Sequence, residues 1–316
     1  MATALPRIAV IGTGGTISSL GASSLDVLDY PDFGQKLTCE ALLDRFRETR
    51  LVADPMPVTF RQVGSTDIGP KDWVEIRSLI HRIARDEPAV TGFVIPHGTA
   101  TLEETAFFLN LTLATAHPVV LVGAQRPASA LGTDAGMNLV NALRVAGSPD
   151  AQGKGVLVVL NDEIHAARDV VKTSTYRVQT FRSADFGALG HVDGDGVHFF
   201  RIPSRAHMPD TPFAGLDLTG LPRVDVVYSY AGADGALTGR WSRPPSRPAR
   251  AASSRPASPR GARPPSSAPL LNAPPKPGSS SCNAAVRRAA SPRAAGCAKA
   301  ASSPARTSPR RRPASC

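Results

Sequence analysis

The sequence predicts an α/β protein built on a doubly wound, mainly parallel sheet, and three observations carry that prediction. Short apolar runs alternate with helix-periodic segments, the order expected of β-α-β-α units. Runs as apolar as PVVLVG (118–123) suit strands covered on both faces, as in a parallel sheet. A glycine-rich or polar cluster follows each of four strand ends: Gly12–Thr16, Gly64–Asp67, His97–Thr99 and Gly123–Arg126. Ligands of open parallel sheets bind outside those ends.

The elements can be placed in order. Strands are predicted at 7–12 (RIAVIG), 58–63 (VTFRQV), 92–96 (GFVIP), 118–123 and 155–161 (GVLVVLN). Ile76, Leu79, Ile80 and Ile83 recur at helical spacing behind Pro70, which suits a first helical turn. Thr101-Leu102-Glu103-Glu104 has the spacing of a capping box opening a second helix, and a third runs from Asp134 to Val145. The stretch 161–202 has hairpin character around Gly194-Asp195-Gly196. With four prolines, 203–222 reads as a linker, and VDVVYSYA (224–231) as the first strand of a second α/β domain that does not continue. The organisation is therefore a catalytic-type domain over 1–202, the linker, a domain remnant over 223–238 and a tail over 239–316.

Charge separates body from tail. Residues 239–316 hold 14 Arg, 2 Lys and no Asp or Glu, leaving 20 basic against 26 acidic residues and a net −6 over 1–238. The overall +10 thus says nothing about nucleic-acid binding by the folded part. The tail carries 15 of the 29 prolines, one Val and no Ile, Phe or Tyr, too little apolar surface to offset the entropy of ordering, so it reads as disordered. With Trp241 as its only aromatic it lacks stacking residues, so nucleic-acid contact is expected only non-specifically, through charge. Cys282, Cys297 and Cys316 lie in the tail at spacings that match no zinc or redox motif, and Cys39 stands alone in the body. A reducing, cytoplasmic location follows as an expectation, together with the lack of a secretory leader or an apolar run of membrane-spanning length. The seven histidines show no H-E-x-x-H spacing, so no metal and no cofactor is expected. Asn110-Leu111-Thr112 matches a glycosylation acceptor but falls in a predicted helix.

The chemistry turns on the loop after the first strand, IGTGGTIS. A dinucleotide fingerprint needs G-x-G-x-x-G; Gly12 and Gly14 fit, but the sixth position is Ile17, and a Walker lysine is absent. The bland reading makes these glycines a tight turn. The third reading makes Thr16 a nucleophile, joined by Thr99 at another strand end. A threonine hydroxyl needs a base or a nearby cation for activation. Lys172 can serve if 161–175 folds back over the sheet; by spacing alone it reads as a solvated surface lysine.

Five blocks then match one family in order: TGGTI (13–17), GSTD (64–67), HGTATLEETA (97–106), GAQRP (123–127) and NDEIHAARDVVKTST (161–175). Over about residues 1–237 the chain resembles the bacterial-type L-asparaginases and glutaminase-asparaginases. That resemblance implies a cofactor-free amidohydrolase that releases ammonia through an acyl-threonine intermediate. It makes Thr16 the nucleophile, Tyr30 its assistant on the following loop, and Thr99 with Lys172 a second catalytic pair. Ser65, Thr66, Gly98 and Ala100 are the substrate-binding positions, with backbone N–H groups around Gly98 and Thr99 stabilising the oxyanion. It also implies a small amide substrate and a homo-oligomer, dimer or tetramer.

Two departures qualify the match. Ala100 replaces the family's aspartate, which binds the substrate α-ammonium, and Thr66 replaces a commoner glutamine. Losing the carboxylate removes a contact worth about 1.5–3 kcal/mol. Nothing after Leu237 resembles the family's C-terminal domain, and the abrupt composition change suggests a shifted reading frame. Weak asparagine hydrolysis by this chain is expected on both counts. The rival reading is a non-catalytic small-molecule-binding domain with a basic interaction tail. If the tail is disordered, limited proteolysis followed by mass spectrometry should leave a body fragment ending near residues 230–240; a tail that outlasts the body would contradict this reading.

Overall fold

A computed structural model describes residues 4–224 together with Val226 and Ala231. The remnant strand predicted at 224–231 lies almost wholly outside the described residues, and the tail lies outside them entirely.

Five strands form the parallel part of the sheet. They are β1 (Arg7–Gly14), β2 (Asp54–Val63), β3 (Val90–Pro96), β4 (Val119–Val122) and β5 (Val156–Leu160). Helices α1 (Tyr30–Phe33) and α2 (Cys39–Arg45) precede β2, α3 (Pro70–Asp86) precedes β3, α4 (Leu102–Thr112) precedes β4, and α5 (Ala135–Gly147) precedes β5. The segment after β5 folds into β6 (Glu163–Ala166), antiparallel to β5, and the predicted hairpin appears as β9 (Gly190–Asp193) and β10 (Gly196–Phe199). Between them β7 (Val171–Lys172) and β8 (Phe181–Arg182) pair as a separate ribbon. The main sheet runs β10-β9-β6-β5-β4-β3-β1-β2, so the predicted α/β class and mainly parallel sheet are observed.

The alternation of strand side chains explains the double winding. Ile8 and Val10 of β1, Val120 and Val122 of β4, and Leu157 and Val159 of β5 join the core formed with α2 and α5. Their neighbours Ala9, Ile11, Val119, Leu121, Val156 and Val158 join the opposite core with α3 and α4. A strand buried on both faces cannot alternate apolar with polar, which is why these runs read as continuously apolar. Helix α3 starts as predicted: Pro70 occupies the first turn, the Gly69 N–H donates to the Asp72 carboxylate at 3.0 Å, and Ile76, Ile80 and Ile83 face the core.

Residues 203–222 form no helix or strand but lie along α3 and α4. Arg77 donates to the carbonyls of Thr112 and Ala214, Met208 N–H donates to the Asn110 carbonyl, and Met208, Ala214 and Leu218 are buried.

Core position decides what a leucine contributes. Leu121→Ala removes a side chain of zero exposure at the sheet centre and should cost about 2–5 kcal/mol in urea unfolding. Leu131→Ala, at a position 74% exposed, should stay within about 0.5 kcal/mol.

Two buried histidines make stability pH-dependent. Burial pushes the imidazoles of His97 and His165 down to about 4, with His191 a second cause at His165. Glu163 Oε2 stands 3.2 Å from His165 Nε2 without a hydrogen-bonding angle, so burial prevails there. Both rings are neutral in the folded chain while the unfolded chain binds protons below its ordinary histidine range. Stability is therefore full above about pH 6.5 and falls as pH drops toward 4, by on the order of 3 kcal/mol per histidine. Urea unfolding at pH 7, 5.5 and 4.5 should show that decline; replacing either histidine by a neutral residue should flatten it.

Candidate active site

The strand order places β1 beside β3 where the chain reverses its direction of winding, the point at which parallel sheets bind ligands. At this point the backbones themselves touch. Gly14 and Gly15 take φ of +99° and +81°, conformations that favour glycine. A Cβ on Gly15 would lie 2.3 Å from Gly98 Cα, and one on Gly98 would lie 2.7 Å from Ser65 Cβ and 3.1 Å from Gly15 Cα. The ends of β1, β2 and β3 are thus in direct contact. The Thr13 hydroxyl tightens the junction by donating to the Pro96 carbonyl at 2.8 Å.

Thr16 opens a single 3-10 turn beyond Gly15, and its Oγ1 lies 2.8 Å from the Tyr30 hydroxyl at the start of α1. Burial raises the Tyr30 phenol above its ordinary value, the Thr16 hydrogen bond opposes this, and the charges of Asp134 and Asp26 add to the rise. Tyr30 therefore keeps its proton at neutral pH and acts as a hydrogen-bonding phenol.

The second hydroxyl is held by more partners. The Lys172 ammonium donates to Thr99 Oγ1 at 2.7 Å, and Thr99 Oγ1 donates to Gln125 Oε1 at 3.0 Å. Gln125 Nε2 donates to the carbonyls of Ser174 and Arg177, which fixes the amide orientation and ties the turn after β7 to the loop after β4. Segment 161–175 does fold back, because β7 pairs with β8 and brings Lys172, largely buried, to the strand end. The Lys172 N–H donates to Glu103 Oε2 at 2.6 Å, while burial raises the Glu103 carboxyl against that bond.

Ser65 heads the turn after β2; its hydroxyl accepts the Ala100 N–H at 3.2 Å and its carbonyl accepts the Thr101 hydroxyl at 2.6 Å. Thr66, next in that turn, is exposed. Ala100 is half-buried and its side chain is a methyl group. The capping box predicted at 101–104 does not form, since Thr101 makes no side-chain cap. Its hydroxyl is committed to Ser65, an acceptor that exists only once β2 and β3 are neighbours.

The eight predicted positions thus lie at the carboxyl ends of β1, β2 and β3, at the start of α1 and on β7, with one hydroxyl–hydroxyl pair, Thr16–Tyr30, and one hydroxyl–ammonium pair, Thr99–Lys172. Sequence reasoning missed Gln125 and Glu103. Gln125 stood inside a recognised strand-end cluster, and Glu103 was assigned to capping.

Among the described residues, a cluster of side chains of the kind that can ligate a metal lies elsewhere: Asp193, Asp195 and His198 come together at the β9–β10 hairpin, away from this site. No helix among the described residues is long and apolar enough to cross a membrane.

Comparison with known proteins identifies the family. The family model described as "Asparaginase, N-terminal" matches residues 7–205. The chain is 40% identical over 229 residues to the "Probable L-asparaginase periplasmic" of Haemophilus influenzae, covering 72% of this chain and 64% of that protein. It is 41% identical over 227 residues to "L-asparaginase 2" of Bacillus subtilis (72% and 59%) and 38% identical over 228 to the "Glutaminase-asparaginase" of Pseudomonas fluorescens (72% and 62%). The chain thus spans less than two thirds of the length of these curated relatives. Among solved structures, the "Probable Cytoplasmic L-asparaginase" of Campylobacter jejuni superposes with a TM-score of 0.69 at 36% identity, covering 74% of this chain and 70% of that one. With the family model matching residues 7–205, well over half of the sequence, this chain belongs to the asparaginase family.

Proposed function

We propose that the protein hydrolyses a side-chain amide, asparagine to aspartate and ammonia or a related amide, through an acyl-threonine intermediate, with residues 1–202 as the catalytic unit. One observation carries the reading: two threonine hydroxyls, one bonded to a phenol and one to a buried ammonium, stand at adjacent strand ends whose glycine backbones touch.

In this reading Thr16 Oγ1 attacks the amide carbon. The C–O bond forms as the C=O pair moves onto oxygen, and backbone N–H groups at Gly98 and Thr99 receive that charge. The Thr16 proton is relayed to the leaving nitrogen, the C–N bond breaks, and ammonia departs. Water then adds to the acyl-threonine, releasing the carboxylic acid and restoring the hydroxyl. Tyr30, protonated, orients Thr16 and carries the relayed proton. Thr99 and Lys172 place a positive charge and a fixed hydroxyl beside the reacting centre. Ser65, Thr66, Gly98 and Ala100 line the substrate's other end. With Ala100 in the aspartate's place, an α-ammonium gains no carboxylate there, so amides without that charge are as well served.

The substrate class is supported by relatives whose names specify asparagine and glutamine hydrolysis. A cytoplasmic location rests on the lone, buried, unpaired Cys39 of the body, with relatives named for both the cytoplasm and the periplasm. A homo-oligomer belongs to the same reading, as does a purely electrostatic role for any contact of the tail with nucleic acid.

Because the hydroxyl alone attacks, Thr16→Ala should lose ammonia release from asparagine, glutamine and simple amides, while Thr16→Ser should retain a measurable part of it. An ammonia-coupled assay decides: equal rates for Thr16→Ala and the parent would remove Thr16 from the mechanism.

A further inference from the structure

We infer that His97 is a positioning residue of this site, whose neutral ring, protonated on Nδ1, holds the Gly98 carbonyl and thereby aims the Thr99 N–H at the oxyanion. The inference rests on the hydrolytic reading above and adds to it a residue that no step of the mechanism uses.

Proton directions along a buried chain of contacts are fixed at both ends. At one end Nδ1 of His97 is 2.8 Å from the Gly98 carbonyl oxygen, which can only accept, so Nδ1 carries the proton. At the other end Trp73 Nε1 is 2.8 Å from Thr105 Oγ1, and an indole N–H can only donate. The Thr105 hydroxyl accepts from Trp73, so its own proton is available to His97 Nε2 at 3.1 Å, which is bare in this tautomer. Every contact has one permitted sense. Burial keeps the ring neutral at physiological pH, consistent with this assignment.

The consequence is geometric. His97 is fully buried, and its own N–H is anchored to the Val122 carbonyl at 2.8 Å, so the ring is a fixed support. The only cis peptide among the described residues is Met208–Pro209, so the Gly98–Thr99 bond is trans and its N–H points opposite to its C=O. Fixing the Gly98 oxygen against the interior turns the Thr99 N–H outward at the strand end. Gly98 is the residue least able to hold a peptide orientation by itself, and no side chain fits there to help.

Two substitutions separate positioning from mere packing. In His97→Asn the side-chain amide N–H stands near the place of Nδ1 and can still reach the Gly98 carbonyl. In His97→Gln the amide reaches toward the place of Nε2 and Thr105, and the Gly98 contact is lost. In the full 316-residue chain, kcat for amide hydrolysis should fall about tenfold or more in His97→Gln with KM little changed, and His97→Asn should recover much of that loss. The Thr99 amide cross-peak in a ¹H–¹⁵N spectrum should move in the Gln variant and return toward its parent position in the Asn variant. ¹⁵N-histidine labelling should find the His97 ring protonated on Nδ1. Equal kcat and equal Thr99 shifts in the two variants, or an Nε2-protonated ring in the parent, would overturn the inference. Should neither variant fold, the parent's tautomer decides. A parent that hydrolyses no amide would defeat the hydrolytic reading, while the tautomer and the Thr99 shift would still report on His97.

Discussion

Gly15 and Gly98 meet at a distance that no side chain permits, and this backbone contact between the ends of β1 and β3 governs the rest of the site. It requires φ near +81° at Gly15 and a bare Cα at Gly98, and it needs Ser65 of the third strand end to close against them. The residues that follow each glycine, Thr16 and Thr99, are thereby brought out at neighbouring points of one sheet edge. The glycines of the first loop serve close approach, and the phosphate-cradle geometry considered from the sequence is not needed to account for them. The two apolar cores hold the sheet that makes this contact reproducible, since α5 and α2 cover one face and α3 and α4 the other.

The polar groups around that contact divide by how far their protons are constrained. Thr16 and Tyr30 share a bond in which either oxygen can donate. Thr99 has no such freedom. It accepts from Lys172 and gives its proton to Gln125, whose amide is pinned by two carbonyls. A hydroxyl with two permitted hydrogen-bond senses and one with a single sense therefore occupy neighbouring strand ends. Placing the ammonium of Lys172 in a largely buried position is costly unless it is well partnered, and hydroxyl, amide and carboxyl groups converge on its segment.

The same economy appears where the chain leaves the sheet. Residues 203–222 lack regular structure, yet Arg77 satisfies carbonyls on both α4 and this segment, and three apolar side chains seat it on the α3–α4 face. Proline-rich composition excluded helix and strand here; it did not determine whether the segment packs.

The sequence by itself determined the layers, the parallel strands, the four polar strand ends and the candidate hydroxyls. These depend on periodicity and on residue type, which are local properties. Continuous apolar runs announced strands buried on both faces, and Pro70 with the 76–83 spacing announced α3. What only the tertiary structure decided was pairing. Thr101 has the spacing of a cap, but its side chain accepts no helix N–H and instead donates to the Ser65 carbonyl, 36 residues away, which β2 and β3 bring beside it. Lys172 was indistinguishable from a surface lysine until the β7–β8 ribbon folded it onto Thr99, 73 residues away in sequence. Gln125 and His97 lie in recognised strand-end clusters and Glu103 in a capping pattern, but their partners were not legible, since those hydrogen bonds join segments that meet only after the sheet has assembled.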